Sequence, residues 1–152
     1  MFSVLHILNK YDLSQGGPPR AVFNILKGLK KKGIKTQLIS TSENHILKKN
    51  NLIYLEKNLI KRFSFPSISL IIYLKKKIKE YDVIHIHCMW NFITSISFYF
   101  AIFYKKKIIF SPHGTMDKNN IKKNFFLKKI FYYLFEKNNI KYIDLVHFLS
   151  PD

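Results

Sequence analysis

The chain has 152 residues, with 26 Lys+Arg against 9 Asp+Glu for a net charge of +17, and it is 47% apolar and 16% aromatic. That length and composition suit one domain with a real core and exclude a disordered polymer. The single cysteine, Cys88, excludes a disulfide framework and a cysteine-based metal site, and the longest uncharged apolar run, 92–104, falls short of the roughly 20 residues that span a bilayer.

FSVLHILN (2–9) is the first predicted strand. The chain then passes Gly16 and Gly17 to reach Pro18 and Pro19, which suit a helix start because the first N–H groups of a helix have no partner. Val22, Ile25, Leu26 and Leu29 follow at i, i+3, i+4 and i+7, one face of a helix that Gly33 closes. IKTQLIST (34–41) reads as a strand, 42–51 as a polar loop and LIYLE (52–56) as a third strand. Beyond Pro66, the stripe Ile71, Leu74 and Ile78 predicts a helix over 67–80. YDVIHIH (81–87) is a strand, 91–104 a buried helix, and KKIIFSPHG (106–114) a strand running into a turn. A long helix over 120–139 and a last strand over 142–150 complete the pattern.

Strands alternating with helices imply a doubly wound, Rossmann-like parallel sheet, in which ligands gather beyond the carboxyl ends of the strands. Three strand ends carry distinctive residues. The first opens into Gly16-Gly17-Pro18-Pro19-Arg20, either a flexible turn or a helix N-terminus facing a phosphate. The fourth ends in His85, His87, Trp90 and Asn91. His85 on an apolar strand reads as a satisfied core histidine, whereas His87 with Trp90 and Asn91 reads as a ligand-facing group for a sugar-like or amphipathic molecule. The fifth ends in Ser111-Pro112-His113-Gly114, where the neighbours fix His113 at the strand mouth. Asp117 either orients a polar group there or caps the next helix. Cys88 points away from His87, since adjacent strand residues face opposite sides, and is not an activated nucleophile. No third ligand stands at a local spacing that would make His85 and His87 a metal site. A G-x-G-x-x-G dinucleotide fingerprint is absent, which argues against an NAD-type oxidoreductase.

The positive charge has two readings. Arg20 and Arg62 are the only arginines in a chain rich in Lys, Asn, Ile and Phe, as AT-rich coding gives. Alternatively the lysines form a surface for anionic lipid or a phosphorylated ligand; a nucleic-acid partner is not expected, because the aromatics fall inside strand and helix patterns. In the 120–139 helix, Phe126, Leu127, Ile130, Phe131 and Leu134 oppose Lys122, Lys128 and Lys129. That apolar face is expected to pack on the sheet, leaving the lysines solvated or near lipid headgroups. Residues 1–8 lack the marks of a signal peptide, so a cytoplasmic protein is expected, with at most peripheral contact with the membrane's inner face.

The stretches GGPPRAVFNILKGLKKKGIKTQLIST, YDVIHIHCMWNF, IIFSPHGTMD and FEKNNIKYIDLVHFLS, in this order, resemble the N-terminal domain of family-4 glycosyltransferases. These are retaining, nucleotide-sugar-dependent enzymes of GT-B architecture, and the nearest flavour is the bacterial group that builds lipopolysaccharide, capsule and other surface glycans. The resemblance implies that residues 1–152 are the N-terminal, acceptor-side half of such an enzyme. It assigns Gly16 and Gly17, with Arg20 in support, to the donor diphosphate. His113 is assigned to the donor sugar at the reaction centre, and His87, Trp90 and Asn91 to the acceptor loop. The implied partners are a nucleotide-sugar substrate and a glycan or lipid-linked acceptor, with no cofactor and no metal. The donor-binding C-terminal domain of the family has no counterpart in this chain. The sequence is therefore read either as half of a working transferase or as a truncated or partner-dependent half without turnover of its own.

Overall fold

The computed structural model describes residues 2–12, 17–42, 48–49, 52–56 and 68–148. Its central strand, β1 (Ser3–Lys10), is a nearly continuous apolar run, as a strand covered on both faces must be. The chain continues through α1 (Gly17–Lys31), β2 (Lys35–Ser42), β3 (Lys48–Lys49), β4 (Leu52–Glu56), α2 (Ile68–Lys79), β5 (Val83–His87), α3 (Phe92–Phe103) and β6 (Lys107–Ser111). Among the described residues the sheet has seven strands in the order β3-β4-β2-β1-β5-β6-β7, with β7 spanning Leu145–Val146. All neighbours are parallel except β3 and β4.

Helices cover both faces of this Rossmann-like sheet. On one face, Leu5, Ile7, Ile84, Ile86 and Phe110 pack against Leu70, Leu74 and Ile78 of α2 and Phe98 of α3. On the other, Leu8 and Leu38 pack against Val22 of α1. The α1 stripe Val22, Ile25, Leu26 and Leu29 is turned inward as its spacing predicts. At the amino ends of the strands, two aspartates clasp neighbours. Ser3 donates its backbone N–H (2.9 Å) and its hydroxyl (2.7 Å) to Asp82, and Ile108 donates its N–H to Asp144 (2.8 Å).

The chain leaves β1 toward β2 and β4 on one side, then crosses back to lay β5 and β6 on the other. The carboxyl ends of β1 and β5 therefore flank a topological switch point, where such sheets hold ligands.

Four expectations change. The helix expected over 120–139 is broken into α4 (Lys118–Lys122), α5 (Phe125–Phe131), a π-helical turn (Tyr132–Glu136) and α6 (Lys137–Asn139). Asn124 sits between α4 and α5 at φ +57°, a left-handed turn that Asn tolerates. The wider π turn shifts the helical phase, so Phe131 and Phe135 meet Phe92, with ring centroids 5.3 Å apart in each pair, and Glu136 turns inward. Phe126, Leu127, Ile130 and Leu134 consequently face outward instead of packing on the sheet. The strand expected over 142–150 reduces, among the described residues, to Leu145–Val146, and its expected first residue, Tyr142, ends a 3₁₀ turn over Ile140–Tyr142. Within the stretch read as a loop, Lys48–Lys49 pair with the edge of β4 as β3.

Candidate functional site

Three of the five histidines at the site come from the central strands. His6 on β1 is the register partner of His85 on β5, and His87 lies two residues further along the same face. His6 and His87 are fully buried and His85 nearly so. The rings form a stack, with centroids 4.0 Å apart for His85–His87 and 5.3 Å for His6–His87. His6 Nδ1 is hydrogen-bonded to His87 Nε2 at 3.0 Å, and His87 Nδ1 to His113 Nε2 at 2.9 Å. A second branch runs from His85 Nε2 to Ser111 Oγ (2.8 Å) and on to His147 Nδ1 (2.9 Å).

Burial sets the charge of this stack. It pushes His6 down to about 3 and His113 down to about 4, with His147 adding repulsion at His113. Burial first, and the neighbouring imidazoles second, also push His85 and His87 well below the usual range. The stack is therefore neutral at pH 7. In a chain of neutral imidazoles each contact needs one donor and one acceptor. His6, His87 and His113 must then all carry the proton on Nδ1 or all carry it on Nε2. The two ends of the chain, His6 Nε2 and His113 Nδ1, have no partner among the described residues. A ligand at His113 Nδ1 thus selects the state of the whole chain. An acceptor on the ligand favours the Nδ1–H set, and a donor favours the Nε2–H set.

The backbone around this stack is held in costly conformations. Cys88 (φ +65°), Trp90 (φ +64°) and His113 (φ +48°) are left-handed without being glycine, and they stand at the mouths of the adjacent strands β5 and β6. Such residues cost on the order of 1–3 kcal/mol each and persist where surroundings over-determine them, commonly at functional sites. Here Cys88 N–H donates to the Ser111 carbonyl (2.9 Å) and Trp90 Nε1–H to the Thr115 carbonyl (2.8 Å), tying the two mouths together. Gly114 continues the turn at φ +74°, and a Cβ there would meet an Asp117 carboxylate oxygen at 3.0 Å.

The structure locates the candidate site residues singled out in the sequence, Gly16 excepted. His113 stands at the β6 mouth as expected. His87 does not face a ligand: it is fully buried, because its face of the sheet is roofed by the histidine stack, and it reaches the mouth only through His113. Asn91 is engaged within its own loop. Its Oδ1 accepts from Thr94 N–H (3.0 Å) as the N-cap of α3, and its Nδ2 donates to the Met89 carbonyl, so the amide is occupied locally. Trp90 has its N–H engaged with Thr115 and offers a ring face, with Lys128 Nζ 5.8 Å from the ring centroid. Gly17 opens α1 at φ +43°, with nothing among the described residues within 4 Å of where a Cβ would lie, and Arg20 is exposed on the same first turn, at the strand-end side of the sheet. Gly16 lies outside the described residues. Asp117 sits at the N-cap position of α4 without a side-chain cap bond. Burial drives the Cys88 thiol up to about 12, as expected of an inert cysteine.

Sequence reasoning missed His6, Ser111, His147 and Glu136. The signal for the histidines was present: LHIL, IHIH and VHFL each put His inside an apolar strand run. Glu136 is fully buried, with Oε1 accepting from Ser95 Oγ at 2.7 Å. Burial raises its carboxyl, while Ser95, Asn139 and the Trp90 backbone hold it back. Among the described residues, His6, His85 and His87 are the group able to hold a metal, each offering a nitrogen within 4.8 Å of the others. An ion there would have to displace one of the two hydrogen bonds of His87, to His6 or to His113.

Residues 15–152 match the family described as Glycosyltransferase Family 4. No curated protein is significantly similar in sequence. Among solved structures, UDP-GlcNAc 2-epimerase from Methanocaldococcus jannaschii aligns with a TM-score of 0.52 at 14% identity, over 86% of this chain and 37% of that one, which shows a shared fold alone. Homoserine dehydrogenase from S. aureus, solved at pH 7.0 and at pH 6.0, aligns with a TM-score of 0.41 at 11% and 12% identity, over 98% and 97% of this chain and 32% of those chains. That score carries no argument. The chain spans about a third of the length of these structures.

Proposed function

Because the chain belongs to glycosyltransferase family 4, we propose that it is the N-terminal, acceptor-side domain of a transferase that moves a sugar from a nucleotide donor to a hydroxyl of a glycan or lipid-linked acceptor. The setting is synthesis of a bacterial surface polysaccharide such as lipopolysaccharide or capsule, in the cytoplasm or at the inner face of the membrane, with retention at the transferred sugar. The observation that carries this reading is the strand mouth itself. Three non-glycine residues with positive φ meet there, around an imidazole whose Nδ1 is buried without a partner among the described residues.

In this reading His113 is the catalytic residue, and Nδ1 hydrogen-bonds the donor sugar beside the reacting carbon. A neutral imidazole suits that task, since it can accept from or donate to a sugar hydroxyl. Gly16, Gly17 and the N-terminus of α1, with Arg20, face the diphosphate and neutralise the charge that develops as it leaves. This scheme needs no metal. Trp90 offers its ring face to the acceptor. His87 and Asn91 act indirectly, His87 by fixing the His113 ring and Asn91 by holding the loop that carries Trp90. The remaining donor contacts come from a second, donor-binding domain.

The test is His113→Ala with the donor-binding domain present. Turnover is expected to fall by about 100-fold or more, the usual scale for losing one preorganised polar contact to the reacting group, with acceptor affinity nearly unchanged. Turnover equal to that of the native protein would sink the assignment.

A further inference from the structure

The imidazole chain His6–His87–His113 has two proton arrangements, and the fold does not treat them alike. Its rings are close to parallel, 13° apart for His6 and His87 and 28° for His87 and His113, with nitrogen contacts of 3.0 and 2.9 Å. Either arrangement satisfies both contacts and leaves one N–H donor stranded at one end and one bare nitrogen at the other. They differ in which end holds the donor. With every proton on Nε2, the stranded N–H belongs to His6, which is 0% exposed and whose Nε2 has no partner among the described residues. With every proton on Nδ1, it belongs to His113, half-buried at the β6 mouth. Buried N–H groups without an acceptor are rarer than under-used buried acceptors, so the core end is the costlier place for the donor.

We infer that the fold holds His6, His87 and His113 in the Nδ1–H form before any ligand arrives, with His87 as the positioning residue, so that His113 offers its ligand an N–H donor and does not act as a base. His6 Nδ1–H then donates to His87 Nε2, and His87 Nδ1–H to His113 Nε2. At His113 one nitrogen is occupied by His87 and the other already carries a proton. Accepting a proton from the ligand would require every ring to pass one inward, which strands an N–H on His6 in the core. The charged alternative is closed as well, because burial keeps the end rings neutral at pH 7. The group that His113 takes is therefore an oxygen acceptor: a hydroxyl, ether or phosphate oxygen. The proton arrangement stands on the geometry of the chain alone; that the oxygen belongs to a donor sugar rests on the transferase reading.

The experiment is a long-range proton–nitrogen correlation spectrum of the full, nitrogen-labelled chain at neutral pH, in which a protonated ring nitrogen and a bare one resonate far apart. The His113 signals are identified by their loss in His113→Gln. A histidine side chain in water favours Nε2–H, so the expected result is not the default: Nδ1–H should exceed Nε2–H at His113 by about tenfold or more, the ratio that ~1.4 kcal/mol for stranding a buried donor represents. His87→Phe cuts the chain and is expected to return His113 toward the Nε2–H form. His6→Phe leaves the bare His87 Nε2 in the core, and His113 is expected to stay Nδ1–H. A native spectrum with Nε2–H or an even mixture at His113, a switch to Nε2–H in His6→Phe, or no change in a folded His87→Phe would each overturn the inference. The native spectrum decides even if His87→Phe does not fold. Turnover enters none of these readouts, so failure here is separate from failure of the transferase assignment.

Discussion

Lowering the pH from about 7.5 to about 4.5 should destabilise this domain through its histidines before its carboxylates titrate. The unfolded imidazoles take up a proton near 6.5, whereas burial keeps His6 neutral down to about 3. Below 6.5 the unfolded state therefore binds more protons than the folded one, and stability falls as the pH drops until the folded value is passed. At about 1.36 kcal/mol per pH unit, two units of acidification cost roughly 3 kcal/mol for one fully buried imidazole. His6 and His87 are both fully buried. His87, pushed down in the same direction by burial, adds to that loss, which is already a large fraction of the stability of a small domain. The paired carboxylates Asp82 and Asp144 are held below their usual range, so their contribution is lost only at lower pH. Glu136, raised by burial, opposes the trend by becoming neutral early in the folded state. Urea titrations at the two pH values measure the effect directly. His6→Phe should flatten the pH dependence, whatever it does to stability at neutral pH. Equal urea midpoints at both pH values, or a pH slope unchanged in His6→Phe, would refute the reasoning.

His87→Phe keeps the ring volume but leaves His6 Nδ1 and His113 Nε2 without partners. A loss of about 2–4 kcal/mol is expected from the urea midpoint, with nitrogen shifts of His113 moving toward a mixed tautomer population. Asn91→Ala removes the cap of α3 and should cost about 1 kcal/mol, while Asn91→Ser should cost little because it can still cap. If Asn91→Ser destabilised the fold as much as Asn91→Ala, the capping role would be wrong.

The sheet was legible in the sequence because its strands are apolar runs set between Gly and Pro markers, as at Gly16 to Pro19 and Pro112 to Gly114. The strand-end rule also led directly to His113 and Trp90. What it could not reveal was which side chains the protein spends on itself. Asn91 looks like a free amide until Thr94 N–H is found at 3.0 Å from its Oδ1. His87 looks ligand-facing until His6, some 81 residues away in sequence, is seen to lie against it. The break at Asn124 and the π turn at Tyr132–Glu136 are equally hidden, since the periodicity of 120–139 fits one uninterrupted helix and only tertiary contacts shift its phase.

The position of β1 between β2 and β5 also orders events during synthesis. β1, α1 and β2 emerge first and pair locally, but the other edge of β1 has to await Val83–His87, and the Ser3–Asp82 clasp closes across 79 residues. Until then the nascent chain presents an open apolar strand edge, the kind of edge that recruits other chains. Pairings of this separation slow folding. The interval before β5 leaves the ribosome is thus the chain's period of greatest exposure to misassembly, and a chaperone that shields β1 would act there.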